Sequence, residues 1–378
     1  MAFTMHSHSG QFCPGHAKDQ LEDIIKHAIG LGYKTMGLTE HMPRTALEDL
    51  YPEELDEPEA SLAVLMPRHT AYLKEAQRLQ ALYAPQISLL IGFEGEWLRP
   101  GYESLIAELA AHPAIDYFIG SLHHVNGVPI DYDKEYYARA VASVQPPVAN
   151  GTYTNGISAA GAADAESGSG SAEVDNIGAR EEKAYERYYD QQYEMLVALR
   201  PRVVGHFDLI RLMSSDPGRD VRCWRGVWER IERNLAFIAS YGGWLECNSS
   251  ALRKGLAEPY PCRVIAEPMT ISLPSSPYNT FAHDIYAPRL QRLTWSLQKW
   301  LSLNGKFTLS DDSHGIAQVG TNYGRALDFL SSLDVTALWT LRREPQHSDC
   351  ATGKTLKARL TEVAVSVDDI RPIISKWS

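Results

Sequence analysis

Long apolar runs are missing from this 378-residue chain. The strongest, residues 87–93, falls far short of the roughly 20 residues a bilayer crossing needs, which excludes a membrane-spanning helix. Cysteine is scarce: the chain has five, widely spaced and with no Cys-x-x-Cys pair, which excludes a cysteine-rich zinc module and fits reduced thiols in a reducing compartment. Positive charge is in deficit, with 36 Lys+Arg against 47 Asp+Glu and a net charge of −11. That balance argues against nucleic acid or an anionic membrane as partner, although it leaves room for a local basic pocket. The opening residues, Met1 to His8, show no basic region, apolar stretch or cleavage site, so no secretory signal is expected and the cytoplasm is the expected location. Nor is there self-similarity at a period of 20–50 residues, which sets repeat architectures aside. What is present is 44% hydrophobic and 10% aromatic residues, enough for a sizeable core, in a length that suits one α/β barrel with insertions as well as two domains.

Short β-branched, aromatic or apolar runs at 2–6, 35–38, 88–94, 117–121, 203–206, 244–247 and 306–310 read as strands. Between them, apolar residues at helical spacing predict helices over 19–31, 61–83, 103–111, 181–199, 224–241 and 288–303. Such alternation predicts parallel strands joined by right-handed crossovers. Residues 145–180, dominated by Ala, Gly, Ser and Asn and without Leu, Phe, Trp, Met or Lys, are expected to be a disordered insertion. The same pattern of elements continues on both sides, so the insertion interrupts one domain spanning 1–378. A proline-bearing stretch at 257–288 reads as a long loop or lid, and the region beyond residue 332 as one more strand and a packing helix.

The placement of the thirteen histidines carries the chemistry. The seven strand candidates run in turn into His6-Ser7-His8, Glu40-His41, Glu94-Gly95-Glu96, His123-His124, His206-Phe207-Asp208, Glu246-Cys247-Asn248 and Asp311-Asp312-Ser313-His314. In barrels of parallel strands the active site is built at this carboxyl end. Residues two apart on a strand share a face, so His6 with His8, and Asp312 with His314, can converge on one point. Imidazoles with a few carboxylates and no thiolate suit zinc, iron or manganese. A carboxylate such as Glu94 can bridge two ions, and metal pairs activate water and clamp the oxygens of a phosphoryl group.

The ordered strings HSHSGQFCPGHA, LTEH, GFEGEW, GSLHHV, GHFDLIR, NSSALRKG and DDSH resemble those of the polymerase-and-histidinol-phosphatase (PHP) superfamily, most closely its histidinol-phosphate phosphatase branch. The resemblance covers residues 1–324 apart from the two insertions. It implies a distorted (β/α)7 TIM-like barrel with three divalent ions, and a phosphomonoesterase acting on L-histidinol phosphate in histidine biosynthesis. By position, His6 and His8 would share one ion with Glu94 and Asp312; Glu94, His123 and His206 would hold a second; His16, His41 and His314 a third. Arg211 and Arg253 resemble the phosphate-gripping arginines of this branch, a role that a planar guanidinium fits, with Lys254 a weaker candidate.

Beyond the ligands, Asp312 or His314 is expected to relay a proton to the leaving alcohol. Glu96 is either a partner for a cationic amine of the substrate or a solvated carboxylate, His124 a substrate-binding or supporting group, and Asp208 a carboxylate that orients His206. His27, His69, His112, His283 and His347 are read as structural, and the stripe Trp224, Trp228, Ile231, Leu235 as core. Two other readings compete: a PHP-type phosphoesterase for a nucleotide or another phosphate ester, and a metal-binding scaffold without activity.

Overall fold

The computed structural model describes residues 1–144, 170–266, 300–344 and 357–377. Strands β1 (Ala2–Thr4), β2 (Tyr33–Leu38), β3 (Ser88–Glu96) and β4 (Tyr117–Ser121) are followed by a small hairpin of β5 (His124–Val125) and β6 (Val128–Pro129). Three further strands, β7 (Val203–Val204), β8 (Trp244–Asn248) and β9 (Lys306–Ser310), complete a seven-stranded sheet in the order β1-β2-β3-β4-β7-β8-β9. Every neighbouring pair is parallel. The first and last strands meet where the Met5 N–H donates to the Leu309 carbonyl at 3.1 Å and Ser7 bridges Ser313, giving a nearly closed barrel. All seven expected strands are present, although β1 and β7 stop two residues before the histidines that follow them.

The strands are buried almost throughout, as parallel strands covered by helices must be. Helix α1 (Leu21–Gly30) lays Leu21, Ile24, Ile25 and Ala28 on the barrel, one apolar stripe at helical spacing. The helix Arg225–Ser240 does the same with Trp228, Ile231 and Leu235, so these members of the stripe read from the sequence are core, while Trp224 precedes the helix and is only partly buried against it. Inside the barrel, Tyr117 reaches across from β4 to donate to the Met5 carbonyl at 2.5 Å. It passes so close to β2 that a Cβ on Gly37 would lie 2.0 Å from its hydroxyl, which is why that position is glycine.

Two expectations need correction. The helix before β7 runs Gly170–Leu199, so disorder over 170–180 does not hold; residues 145–169 lie outside the described residues. Extending an anchored helix costs little once it is nucleated. The C-terminal region holds two strands rather than one, β10 (Ala337–Arg343) and β11 (Leu360–Ser366), paired antiparallel and followed by the helix Val367–Ile374. Glu362 on this ribbon takes Arg202 and Lys306, and Arg343 takes Asp116 at 3.1 Å. Those three partners start or precede barrel strands, so the ribbon lies across the amino-terminal mouth. The helix expected at 288–303 and most of the loop expected at 257–288 fall outside the described residues; the rest of that loop holds a short helix, Arg263–Ala266, and residues 300–303 form a 3-10 turn.

Candidate metal centre

At the opposite mouth, the residues just past each strand turn inward. His6 and His8 follow β1, His41 follows β2, Glu94 and Glu96 end β3, His123 follows β4, His206 follows β7, Glu246 lies in β8, and Asp312 and His314 follow β9. Asp312 holds a left-handed backbone, φ 47°, a conformation rarely adopted without compensating contacts. Arg253 provides them: its guanidinium donates to the carbonyls of Asp311 and Asp312 at 3.1 and 3.0 Å.

Glu94 is the centre of the arrangement. Its Oε1 lies 3.0 Å from His206 Nε2 and 3.4 Å from His123 Nε2, while its Oε2 lies 3.4, 3.6 and 3.1 Å from nitrogens of His6, His8 and His41. The two oxygens of one carboxylate thus serve two sets of imidazoles. Ligand atoms gather within 4.8 Å of one another in four groups: His6/His8/Asp312, Glu94/His123/His206, His8/His41/His314 and His41/Glu94/Glu96. His16 stands at their edge, its ring 4.8 Å from that of His314, but its Nδ1 is turned to Glu53 at 3.1 Å and it is outside these groups.

Several of these nitrogens are buried without a hydrogen-bond partner: His6 Nε2, His8 Nδ1 and Nε2, His41 Nε2 and His314 Nε2. Leaving so many buried polar atoms unmade is costly unless something else takes their lone pairs. Burial penalises charge on every group here, yet the neighbours, His6 foremost, hold the Glu94, Glu246 and Asp312 carboxyls below their ordinary range. Burial, aided by His41, pushes His8 down to about 3, and burial lowers His123 and His314 as well. For His6, His41 and His206 the same burial is outweighed by the adjoining carboxylates, which raise them. Ionised carboxylates beside imidazoles, of which His8, His123 and His314 are held neutral while the others would give up a proton to an ion, are the donor set of a divalent transition-metal site, so these residues fit such ions.

Behind this cluster the structure assigns contacts the sequence did not. His6 Nδ1 meets Glu246 Oε1 at 2.7 Å, and His41 Nδ1 meets Glu96 Oε1 at 2.7 Å. Glu96 is completely buried, so an amine partner at that position is replaced by a carboxylate that orients His41. Asp208 does not orient His206; its Oδ2 takes Arg211 at 2.8 Å and the Cys262 N–H at 2.9 Å. Arg211, expected at a phosphate, is buried, with its remaining hydrogen bonds on the carbonyls of Glu258 and Pro259 and its guanidinium over the Tyr260 ring. It sits three residues after Asp208, so a local pair claims it before any ligand. His124 is buried too, pushed down to about 4 by desolvation, its ring parallel to that of Tyr51 at 6.3 Å.

The cluster opens into a cavity of about 540 Å³. His41, Glu94, His123, His206, Asp312 and His314 line it together with the cations Arg253 and Lys254. Arg211, Glu96 and His124 are not among the lining residues. Tyr51, Glu53, Asp131 and Tyr132 are, and none stood out in the sequence, since they follow none of the seven strands expected from it. Among the described residues no helix is long and apolar enough to cross a membrane.

A PHP domain family model matches residues 4–250. The chain is 35% identical over 347 residues to a Schizosaccharomyces pombe protein named "Probable histidinol-phosphatase", covering 91% of each. It is 28% identical over 354 residues to the histidinol-phosphatase of Saccharomyces cerevisiae, covering 86% of this chain and 87% of that one. Among solved structures, histidinol phosphate phosphatase from Lactococcus lactis, complexed with zinc, L-histidinol and phosphate, matches with a TM-score of 0.50 at 16% identity, covering 89% of this chain and 95% of that one. At that identity the likeness speaks for the shared fold.

Proposed function

We propose that this chain, which belongs to the PHP domain family, is a metal-dependent phosphomonoesterase that hydrolyses L-histidinol phosphate to L-histidinol and phosphate in histidine biosynthesis. The observation that carries the reading is the set of buried, unpartnered imidazole nitrogens around Glu94 and Asp312, opening into a cavity that also presents Arg253 and Lys254. The relatives named for this activity, and the L-histidinol and phosphate held by the Lactococcus lactis protein, favour this substrate over other phosphate esters.

Three divalent ions, zinc, manganese or iron, are proposed. Their ligands would be His6, His8, Glu94 and Asp312; Glu94, His123 and His206; and His41 and His314 with His8 or His16. When bound, such ions supply Lewis acidity and lower the pKa of water. The chain's own residues do the rest. Arg253 and Lys254 present donors to the phosphoryl oxygens, and Arg253 in the same act holds the Asp311–Asp312 backbone in place. Glu53 and Asp131 give the cavity acidic walls that suit the cationic end of an amino alcohol. Asp312 and His314 line the cavity, and one of them would relay a proton to the leaving oxygen.

Residues 1–378 are read as one domain, since the carboxyl-terminal ribbon packs under the barrel and the Trp377 indole N–H donates to the Leu31 carbonyl at 2.7 Å. A cytoplasmic location is proposed on the free thiols of Cys13, Cys223, Cys247 and Cys262. The test is phosphate release from L-histidinol phosphate, beside an aryl phosphate and a nucleotide, with chelator and with each metal restored. Fast, chelator-sensitive release from the first substrate alone supports the assignment; all three esters left intact under every metal would refute it.

A further inference from the structure

Glu246 shows no exposed surface and lies in β8, pointing into the barrel among the ends of three other strands. Its Oε2 accepts the His206 backbone N–H at 2.8 Å and the Asn248 side-chain N–H at 3.0 Å. Its Oε1 faces His6 Nδ1 at 2.7 Å and accepts from the Ser310 hydroxyl. Two of these partners cannot reverse their roles. A backbone N–H only donates, and the Asn248 amide is fixed because its Oδ1 accepts the Ser250 N–H at 2.8 Å. An ionised carboxylate only accepts, so the His6 nitrogen facing it must carry the hydrogen.

We propose that Glu246 is a positioning residue that keeps a proton of His6 on Nδ1, and so makes Nε2, turned toward Glu94 and Asp312, the nitrogen left for an ion. His6 Nε2 lies 3.4 Å from Glu94 Oε2 and 3.7 Å from Asp312 Oδ1 and has no hydrogen-bond partner. The consequence for metal binding rests on the phosphatase reading above; the position of the proton does not. By its second oxygen Glu246 also fixes the His206 backbone, so one side chain registers a ligand of the His6/His8/Asp312 group against one of the Glu94/His123/His206 group.

Glu246→Gln changes one atom and separates these tasks. The amide oxygen must take the Oε2 position, because the opposite flip sets the amide NH2 against two donors that cannot turn. The NH2 then faces His6, which can answer it only by accepting at Nδ1 and moving its proton to Nε2. Supporting contacts of this kind are worth about 10–100-fold in metal affinity. The expected result is therefore that loss at the His6/His8/Asp312 group, with the Glu94/His123/His206 group keeping its ion.

The experiment is NMR of the full chain labelled with 15N-histidine, the His6 signals identified by their loss in His6→Gln, together with zinc content after dialysis. The wild type should show a proton on His6 Nδ1 with and without zinc. E246Q should lose that proton and one equivalent of zinc. A wild-type His6 without a proton on Nδ1 overturns the proposal even if E246Q fails to fold, and so does an E246Q protein that keeps both that proton and the full zinc content. Wild-type protein that binds no zinc would remove the metal reading while leaving the NMR result to decide the role of Glu246.

Discussion

Removing the Arg211 guanidinium should destabilise the protein because of what it leaves behind. Arg211 and Asp208 are a buried pair, with side chains 7% and 2% exposed and a 2.8 Å contact. In Arg211→Met the apolar stem survives, but the Asp208 carboxylate keeps only the Cys262 N–H, and the carbonyls of Glu258 and Pro259 lose their donor. Breaking a buried pair from one side typically costs about 3–5 kcal/mol. With a urea slope of about 3 kcal/mol per M, that moves the unfolding midpoint by about 1–1.7 M. Arg211→Met/Asp208→Asn removes the uncompensated charge and should recover more than half of the loss. Urea denaturation of the wild type, both single variants and the double variant gives the cycle. A single variant as stable as wild type, or a double variant no better than Arg211→Met, would refute the reasoning and return Arg211 to the phosphate.

Gly37→Ala would force a methyl to within 2.0 Å of the Tyr117 hydroxyl, so its thermal midpoint should fall well below that of Gly30→Ala, where a Cβ meets nothing within 4 Å; equal midpoints would contradict the packing inside the barrel. His8→Ala and Asp312→Ala should each lose turnover together with bound metal by elemental analysis, and wild-type activity in either would sink the site. His6, His41 and His206 have raised pKa values, so without ions they contribute stability fully below the ordinary histidine value near 6.5 and lose it as pH rises through the folded values. Ions must displace those protons, so zinc affinity by competition titration should be higher at pH 8 than at pH 6, and a flat profile would count against the site.

The strands were legible because parallel strands buried on both faces are written as short apolar, β-branched runs, and the ligands were legible because each such run ends in a coordinating residue. Contacts between strands were not. Glu246 and Asp208 both belong to the polar strings into which strand candidates run, and only the folded barrel shows that one reaches His6 while the other turns to Arg211. Glu96 offered two readings in the sequence, neither of them its contact with His41, which comes from a different strand end. The second strand of the carboxyl-terminal ribbon was missed for a related reason: residues 344–359 separate it from β10, a connection far longer than the loop of about two to five residues that announces a hairpin.

Closure of the barrel between Met5 and Leu309 has a consequence for how the protein is made. Synthesis delivers His6 and His8 first and Asp312 and His314 some three hundred residues later, at about 5–20 residues per second. Until β9 leaves the ribosome, the group formed by His6, His8 and Asp312 has no third member, and the edge of β1 stays open. A nascent chain therefore presents scattered imidazoles, and the complete centre arises only at the final long-range step, the kind that topology makes slowest. For the His6/His8/Asp312 group, ion capture and barrel closure are then one event, and a chain truncated before β9 is left with neither.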